Sequence, residues 1–471
     1  MADIIGSPAA TQAYSDSARA DQPTLVRGLS LMDSVLLLMG GILGSGIFLT
    51  ASDIASSVAR PSLYLLVWVG GLIFSLLACM AFAELGAMYP EAGGTYVYLR
   101  EAYGDLIAFL YGWMIFAVMY TGSIAALATG FSEYLGAAYP PLAASRSLLV
   151  LGPLDLTCGK LVAVMAIAFL TAINVLGLRH GAILQNVATW ANIGALGVFV
   201  LLGFLSGKGS TTHFTQAASS ASSTGGLAGL GVALIAVIWS YDGWVNLSCT
   251  AGEVRDPGRT LPRALILGIV LIGVLYIAMN AVYLYALPLD EIARDRAVAQ
   301  TAASLLFSPR AGIGMALLVS LVCFGCANSA TLSGSRVYYA MSRDGVFLKS
   351  LAEVHPRFRT PVFSLVAQGI WSAVLVFSGR YDQLYTYAIF MLTLSYVAGV
   401  AALFVLRRQR PEAPRPYRCT GYPWLPGLYV VAGLLWAANT AWQRPRESLA
   451  GIGVVLLGIP GFYYWRAKNR A

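Results

Sequence analysis

In this 471-residue sequence, the groups best suited to bind a ligand are backbone N–H and C=O groups, which glycines expose within an apolar stretch. That stretch reads LLLMGGILGSGIFLTAS and contains Gly40, Gly41, Gly44 and Gly46. Each glycine in a helix interior costs about 1 kcal/mol relative to alanine, so we expect a helix to break here. In a nonpolar medium the freed N–H and C=O groups need partners, and a bound zwitterion can satisfy both kinds.

The groups around this break suit the two ends of a zwitterion. The N–H groups of Ser45, Gly46 and Ile47 would stand at the start of a half-helix, whose dipole and unpaired donors favour a carboxylate. The freed carbonyls of Ile42 and Leu43 would accept hydrogen bonds from an ammonium group. Close helix packing is the alternative interpretation, because small residues four apart also let helices approach each other.

A second apolar stretch, LGVALIAVIWSYDGWVNLSCTAGEV, is interrupted at residues 240–243. Each of the two breaks opens a group of about five apolar stretches. Paired interruptions at corresponding points of two halves predict a secondary transporter built from inverted repeats, with its site near the membrane midplane. This pairing favours the binding interpretation of the first break over plain packing.

Side chains at the second break extend the predicted site. Trp239 can act as a lid over a ligand, although most tryptophans in membrane helices face lipid or the protein core. Ser240, Tyr241 and Gly243 lie in the segment that we expect to be unwound. Asp242 is an acid at membrane depth and therefore a functional candidate. We favour the alternative that Asp242 caps the following half-helix, whose N–H groups suit a carboxylate.

The composition places these segments in a membrane. Hydrophobic residues make up 58% of the chain and charged residues 11%, whereas soluble domains have about 25% charged residues. Apolar runs of about 20 residues or more, enough to cross a bilayer, follow one another after the polar first thirty residues. We therefore predict an all-α polytopic membrane protein with about twelve membrane-spanning helices. The predicted spans are 31–57, 62–89, 104–137, 160–177, 183–206, 228–253, 263–287, 311–342, 361–378, 381–406, 427–443 and 448–466.

The charge distribution predicts the topology. With both termini in the cytosol, the inner loops hold roughly twice as many Lys and Arg residues as the outer loops, which is the positive-inside bias. The net charge of +8 then reflects arginines beside anionic lipid rather than a nucleic-acid partner. The predicted units are a disordered cytosolic tail at 1–30, a first repeat at 31–206, a second repeat at 228–406, two accessory helices at 427–466 and a cytosolic tail at 467–471.

The sequence lacks the motifs of ATP hydrolysis, of common hydrolytic enzymes and of metal sites. No Walker A loop, HExxH or GxSxG motif occurs, so we expect neither ATP hydrolysis nor an enzyme. Cys323 and Cys326 have a CxxC spacing, but no second pair completes a zinc site. The three histidines fall in polar breaks between apolar runs, so we predict no metal and no cofactor. We expect Glu84 to pair with a basic loop residue and Glu253 to form a salt bridge at the cytosolic side.

Four long segments of the chain resemble the amino acid–polyamine–organocation superfamily of permeases, and within it the L-amino acid transporter type. They are GGILGSGIF at 40–48, AFAELGAMYPEAGGTYVYLREAYG at 81–104, WSYDGWVNLSCTAGEVRDPGRTLPRAL at 239–265 and SGSRVYYAMSRDGVFLKSLAEVHPRFRTP at 333–361. The resemblance implies two inverted repeats of five helices, broken first and sixth helices, and transport of L-amino acids. It also implies that Gly44, Ser45 and Gly46 hold the substrate carboxylate. Trp239 would be an aromatic gate, and Ser123 would line the pocket.

Some positions depart from this family pattern. Many relatives carry a lysine in the fifth helix, in the pattern Q-[ND]-x-x-x-x-x-K, at the place where sodium-coupled cousins bind an ion. LQNVATWAN puts the neutral Asn192 there, so the coupling ion, Na+ or H+, and the exchange mode stay open. Gly252 stands where relatives commonly have a second acid. Cys158 lies where eukaryotic members bond a heavy chain, but the Ala-, Gly- and Arg-rich chain resembles a bacterial one, and we expect no heavy-chain partner.

Together these observations predict a secondary transporter that moves L-amino acids across the cytoplasmic membrane by alternating access, as an exchanger. Neutral substrates are favoured, because no acid other than Asp242 is placed to receive a cationic side chain. A carrier of cationic amino acids or polyamines is the main alternative, and the orientation of Asp242 toward the pocket would decide it. An ion-coupled symporter and a non-transporting amino-acid sensor are the others.

Overall fold

The chain folds almost entirely into helices. The structure is a computed structural model, which describes residues 24–143, 145–151, 154–217, 227–378, 381–443 and 445–470. Its helices confirm the predicted all-α class and the polytopic architecture. The helices, numbered along the chain, are α1 (Leu31–Ile42), α2 (Gly46–Ser57), α3 (Pro61–Met88), α4 (Thr95–Tyr103), α5 (Asp105–Met114), α6 (Tyr120–Ala138), α7 (Cys158–Val175), α8 (Leu178–Leu205), α9 (Leu227–Ser240), α10 (Val245–Cys249), α11 (Pro257–Ala286), α12 (Leu289–Arg294), α13 (Val298–Leu306), α14 (Pro309–Arg343), α15 (Val362–Ser378), α16 (Tyr381–Gln409), α17 (Trp424–Gln443), α18 (Pro445–Leu456) and α19 (Gly458–Arg470).

The predicted spans coincide with helices, although fewer of them are long enough to cross a membrane alone. Among the described residues, 8 helical segments have the required length and apolar composition, and the bent pair α1–α2 makes a ninth. The predicted span at 361–378 is the 17-residue α15, and the one at 228–253 contains a short apolar helix followed by a break. The predicted tail at 1–30 lies mostly outside the described residues.

The first span breaks where its glycines predict. A capping box starts α1: the Asp33 N–H donates to the Ser30 hydroxyl, and the Ser30 N–H donates to the Asp33 carboxylate. The helix ends at Ile42, and α2 begins at Gly46 with its axis turned by 47°. The sixth span breaks in the same way, because α9 ends at Ser240 and α10 begins only at Val245.

The two broken spans contact each other closely. A Cβ atom added at Gly46 would lie 3.0 Å from Ser240 Cα, so a side chain here would push α2 and α9 apart. Beside this contact the hydroxyls of Thr50 and Ser240 share a hydrogen bond of 2.6 Å. Packing and polar bonding therefore fix the start of α2 against the end of α9.

Long helices surround this pair and follow the symmetry of two groups of five spans. α3 packs against α11, and these are the second spans of the two groups. α6 packs against α14, and these are the third spans. Corresponding spans thus meet each other, as expected where a pseudo-two-fold axis passes between two repeats.

Both ends of the described chain lie on one face, here called the terminal face. The N–H groups of Gly28 and Leu29 donate to the Glu253 carbonyl at the end of the sixth span. Near the other end, the Asn469 side chain donates to the carbonyls of Gly345 and Phe347. The opposite face carries a two-stranded antiparallel hairpin that sequence patterns did not predict, β1 (Ser147–Leu151) and β2 (Leu154–Thr157).

Candidate functional site

A cavity of about 740 Å³, including its opening, lies between the two helix breaks. Besides the breaks, the π-helical turn Ile115–Met119 and the helices α6, α10, α14 and α16 contribute to its wall. The lining residues are Gly41, Ile42, Gly44, Ser45, Gly46, Ile115, Met119, Tyr120, Ser123, Leu127, Trp239, Ser240, Asp242, Gly243, Val245, Asn246, Cys326, Ala330, Leu392 and Tyr396.

Most of the residues proposed from the sequence meet in this wall, and three do not. Leu43 and Ile47 are fully buried and do not line the cavity, because their side chains belong to the packed core. Tyr241 points away from it and donates a hydrogen bond of 3.1 Å to the Trp68 carbonyl of α3. Those that line the cavity are Ile42, Gly44, Ser45, Gly46, Ser123, Trp239, Ser240 and Gly243.

The start of α2 offers unpaired donors to the cavity. Ser45 and Gly46 precede the first complete turn, and helix geometry supplies no acceptor for N–H groups at that position. Among the described residues, neither N–H group donates to a backbone carbonyl outside its helix. The positive end of the α2 dipole therefore faces the cavity with donors available for an anion.

The carbonyl groups at the end of α1 are partly engaged already. The Tyr276 hydroxyl donates to the Ile42 carbonyl at 2.9 Å, and the Cys326 thiol donates to the Gly41 carbonyl at 3.2 Å. A carbonyl oxygen has two lone pairs, so each can still accept one more hydrogen bond. These two protein donors were not predicted, because they come from α11 and α14.

Asp242 lines the cavity instead of capping the next half-helix. α10 begins after Trp244 without any side-chain cap, so the capping role favoured on the sequence is wrong. One carboxylate oxygen accepts a hydrogen bond of 2.8 Å from the Tyr396 hydroxyl. Among the described residues, no ion pair involves Asp242. The cavity therefore contains a carboxylate without a protein counter-charge.

Sequence patterns missed a second group of polar residues in the wall. The Tyr120 hydroxyl donates to the Asn246 side-chain oxygen at 2.6 Å, and the Asn246 amide donates to the Ser329 hydroxyl at 3.1 Å. Tyr120 follows a π-helical turn at Ile115–Met119, a distortion frequent at functional sites. Only Asn246 had a local signal, since it follows Gly243 by one helical turn.

Asn192 lies behind the cavity, inside the protein, and does not line it. Its side chain is buried, and its side-chain oxygen has no hydrogen-bond partner among the described residues. Nearby, Asn328 of α14 accepts from Asn174 at 2.8 Å and donates to Gln185 at 2.9 Å. Buried amides thus join the fourth, fifth and eighth spans.

Ion pairs close the terminal face below the cavity. Glu253 and Arg336 form a bidentate pair, with nitrogen–oxygen distances of 2.8 and 2.9 Å, and both side chains are fully buried. Glu84 is also buried and accepts from Arg407 at 2.6 Å. The salt bridges expected for Glu253 and Glu84 are therefore present. Arg410, just beyond α16, lies 2.8 Å from Glu101, and this hydrogen bond raises the pKa of Arg410.

Comparison with known proteins agrees with this arrangement. The family model described as "Amino acid permease" matches residues 29–456. The serine/threonine exchanger SteT of Bacillus subtilis (strain 168) is 29% identical over 95% of this chain and 98% of its own. The b(0,+)-type amino acid transporter 1 of Homo sapiens is 31% identical over 84% of this chain and 79% of its own. The cystine/glutamate transporter of Homo sapiens is 25% identical over 95% of this chain and 87% of its own. The chain belongs to the amino acid permease family, within the amino acid–polyamine–organocation superfamily, and is a transporter rather than an enzyme.

Proposed function

We propose that this permease exchanges L-amino acids across the cytoplasmic membrane by alternating access, with both termini in the cytosol. The unpaired N–H groups of Ser45 and Gly46, at the positive end of α2, support binding of the substrate carboxylate. The carbonyls of Gly41 and Ile42 would accept from the ammonium group. These groups recognise the part shared by all amino acids, and the remaining wall would select the side chain.

Exchange rather than ion coupling is the favoured mode. Asn192 is neutral, so it offers neither a fixed positive charge nor an exchangeable proton. SteT, similar over nearly the whole chain, is named as a serine/threonine exchanger. We propose that the outward movement of one amino acid is coupled to the inward movement of another, without coupling to Na+ or H+.

Cationic amino acids are a second candidate substrate class, beside the neutral ones. Asp242 lines the cavity without a described counter-charge, and a buried carboxylate is stabilised by a cation within about 4 Å. The relatives similar to this chain include b(0,+)-type amino acid transporters as well as a serine/threonine exchanger. Under this proposal Asp242 receives the cationic end of the longer substrates.

Ligand binding to the purified protein tests the proposed site. A series would compare one neutral L-amino acid with its amide, which lacks the carboxylate, and its N-acetyl derivative, which lacks the ammonium charge. We expect the free amino acid to raise the thermal midpoint of unfolding and both derivatives to leave it unchanged, because each removes one of the two backbone contacts. Equal stabilisation by either derivative would contradict the proposed site.

A further inference from the structure

A second, larger cavity lies beside the first, toward the face opposite the terminal face. It measures about 1720 Å³ with its opening, and we call it the vestibule. Trp239, Asp242, Leu392 and Tyr396 line both cavities and form the wall between them. Ser57, at the end of α2 far from the terminal face, lines the vestibule. A molecule arriving from that face therefore passes through the vestibule before it meets the central cavity.

Two side chains of opposite charge line the vestibule without forming an ion pair in the described structure. Asp53 is on the second half of α2, and Arg296 is in the loop between α12 and α13. No oppositely charged described side chain lies within 4.0 Å of either one. By contrast, Arg100, Arg336, Arg407 and Arg410 on or near the terminal face are paired with carboxylates.

The remaining vestibule wall suits the variable part of an amino acid. Phe74 stacks on Tyr429 with ring centroids 4.4 Å apart, and it meets Trp436 edge to face at 6.5 Å. All three rings line the vestibule. An aromatic surface accepts aliphatic and aromatic side chains alike, because such contacts depend on area rather than on a hydrogen-bond pattern.

We propose that the vestibule contains a second amino acid subsite, which is loaded before the central one. Arg296 takes the carboxylate, because a guanidinium group binds a carboxylate with two parallel hydrogen bonds. Asp53 takes the ammonium group, and Asp242 in the shared wall offers the next carboxylate along the path. The subsite rests on the proposed function, because its ligand is the transported amino acid itself.

Uptake kinetics measured separately on the two faces test the subsite. The variants are Arg296→Gln, Arg296→Lys and Asp53→Asn, in right-side-out and inside-out membrane vesicles. Arg294→Gln is the matched control, because Arg294 is exposed at the end of α12 and does not line the vestibule. We expect Arg296→Gln and Asp53→Asn to raise KM about fivefold for substrate offered at the vestibule face, as for a lost charge-assisted hydrogen bond at a hydrated site.

The subsite further predicts that KM at the terminal face and the affinity of the central site stay unchanged in both variants. Arg296→Lys should recover part of the loss, and Arg294→Gln should match the unmodified protein. Unchanged KM at the vestibule face, or an equal rise on both faces, would overturn the subsite while the unmodified protein still transports. Absence of amino acid transport by the unmodified protein would overturn the proposed function, and the subsite with it.

Discussion

Gly243 of the sixth span rests directly on the Gly41 carbonyl of the first. A Cβ atom at Gly243 would lie 2.3 Å from the Gly41 oxygen, and the Gly243 backbone has φ of 110°. Both facts exclude a side chain here, because L-residues avoid positive φ and no atom can approach that closely. The close contact brings the two breaks together, so that their freed backbone groups line one cavity.

Replacing Gly243 should therefore separate the breaks. We expect Gly243→Ala to reduce transport at least about tenfold, since the new methyl group must displace the first span and also costs about 1–2 kcal/mol of backbone strain. Gly231→Ala in α9 is the control, because a Cβ at Gly231 would meet nothing within 4 Å. Equal transport by the two variants would show that the contact between the breaks does not matter for activity.

Asp242 should discriminate between substrate classes. Asp242→Asn removes the charge but keeps an oxygen that can accept from the Tyr396 hydroxyl. We expect the variant to retain uptake of neutral amino acids and to lose uptake of cationic ones by about tenfold or more, because a charge partner in a poorly hydrated site is lost. Competition by unlabelled lysine and serine against one labelled substrate measures the ratio.

Tyr396→Phe is the control for this ratio, since it removes the 2.8 Å hydrogen bond and keeps the carboxylate. It should affect both substrate classes to a similar extent. A loss of neutral and cationic uptake in equal proportion by Asp242→Asn would contradict the assignment of this carboxylate to cationic substrates.

Trp239 should retain the substrate by its size. It lies in the wall shared by the central cavity and the vestibule, where the proposed gate would act. We expect Trp239→Ala to weaken substrate affinity by about tenfold, because a large apolar contact is lost, and Trp239→Phe to preserve most of it. Equilibrium binding to the purified variants provides the comparison. Similar affinities for Trp239→Ala and the unmodified protein would contradict the proposed role of Trp239 as a gate.

The Glu253–Arg336 pair should behave as a buried ion pair. Removing one partner leaves the other charge unpaired in the interior, which costs about 3–5 kcal/mol. Arg336→Met should therefore lower the thermal midpoint strongly, and the double variant Arg336→Met/Glu253→Leu should recover part of the loss. Arg343→Met is the matched control, because the Arg343 side chain is 59% exposed. A thermal midpoint for Arg336→Met equal to that of Arg343→Met would contradict a stabilising role of the Glu253–Arg336 pair.

Local signals in the sequence predicted the membrane class, the two breaks and the part of the central wall that the two breaks supply. Glycine runs and a polar interruption in an apolar stretch act through the backbone, and their effect can be predicted without tertiary contacts. Ser45 and Gly46 were found in this way, and so was Trp239. The predicted salt bridge of Glu253 also followed from a charge at the end of an apolar span.

What the sequence did not predict depends on distant residues. Local arguments favoured capping by Asp242 over binding, and they could not predict its contact with Tyr396, which is 154 residues away in the sequence. The orientation of the Tyr241 side chain toward α3 likewise depends on a residue distant in the sequence, Trp68. The vestibule was missed altogether, because Asp53 and Arg296 are ordinary surface residues until the fold brings α2 and the α12–α13 loop to one cavity.

Transport by purified protein in liposomes tests the central proposal most directly. Labelled neutral and cationic L-amino acids would be offered outside vesicles that contain either no amino acid or unlabelled amino acid, with and without Na+ and H+ gradients. Obligatory exchange predicts rapid uptake only into preloaded vesicles, with no response to either gradient. Accumulation in empty vesicles driven by Na+ or H+ would contradict exchange, and binding without any uptake would contradict transport itself.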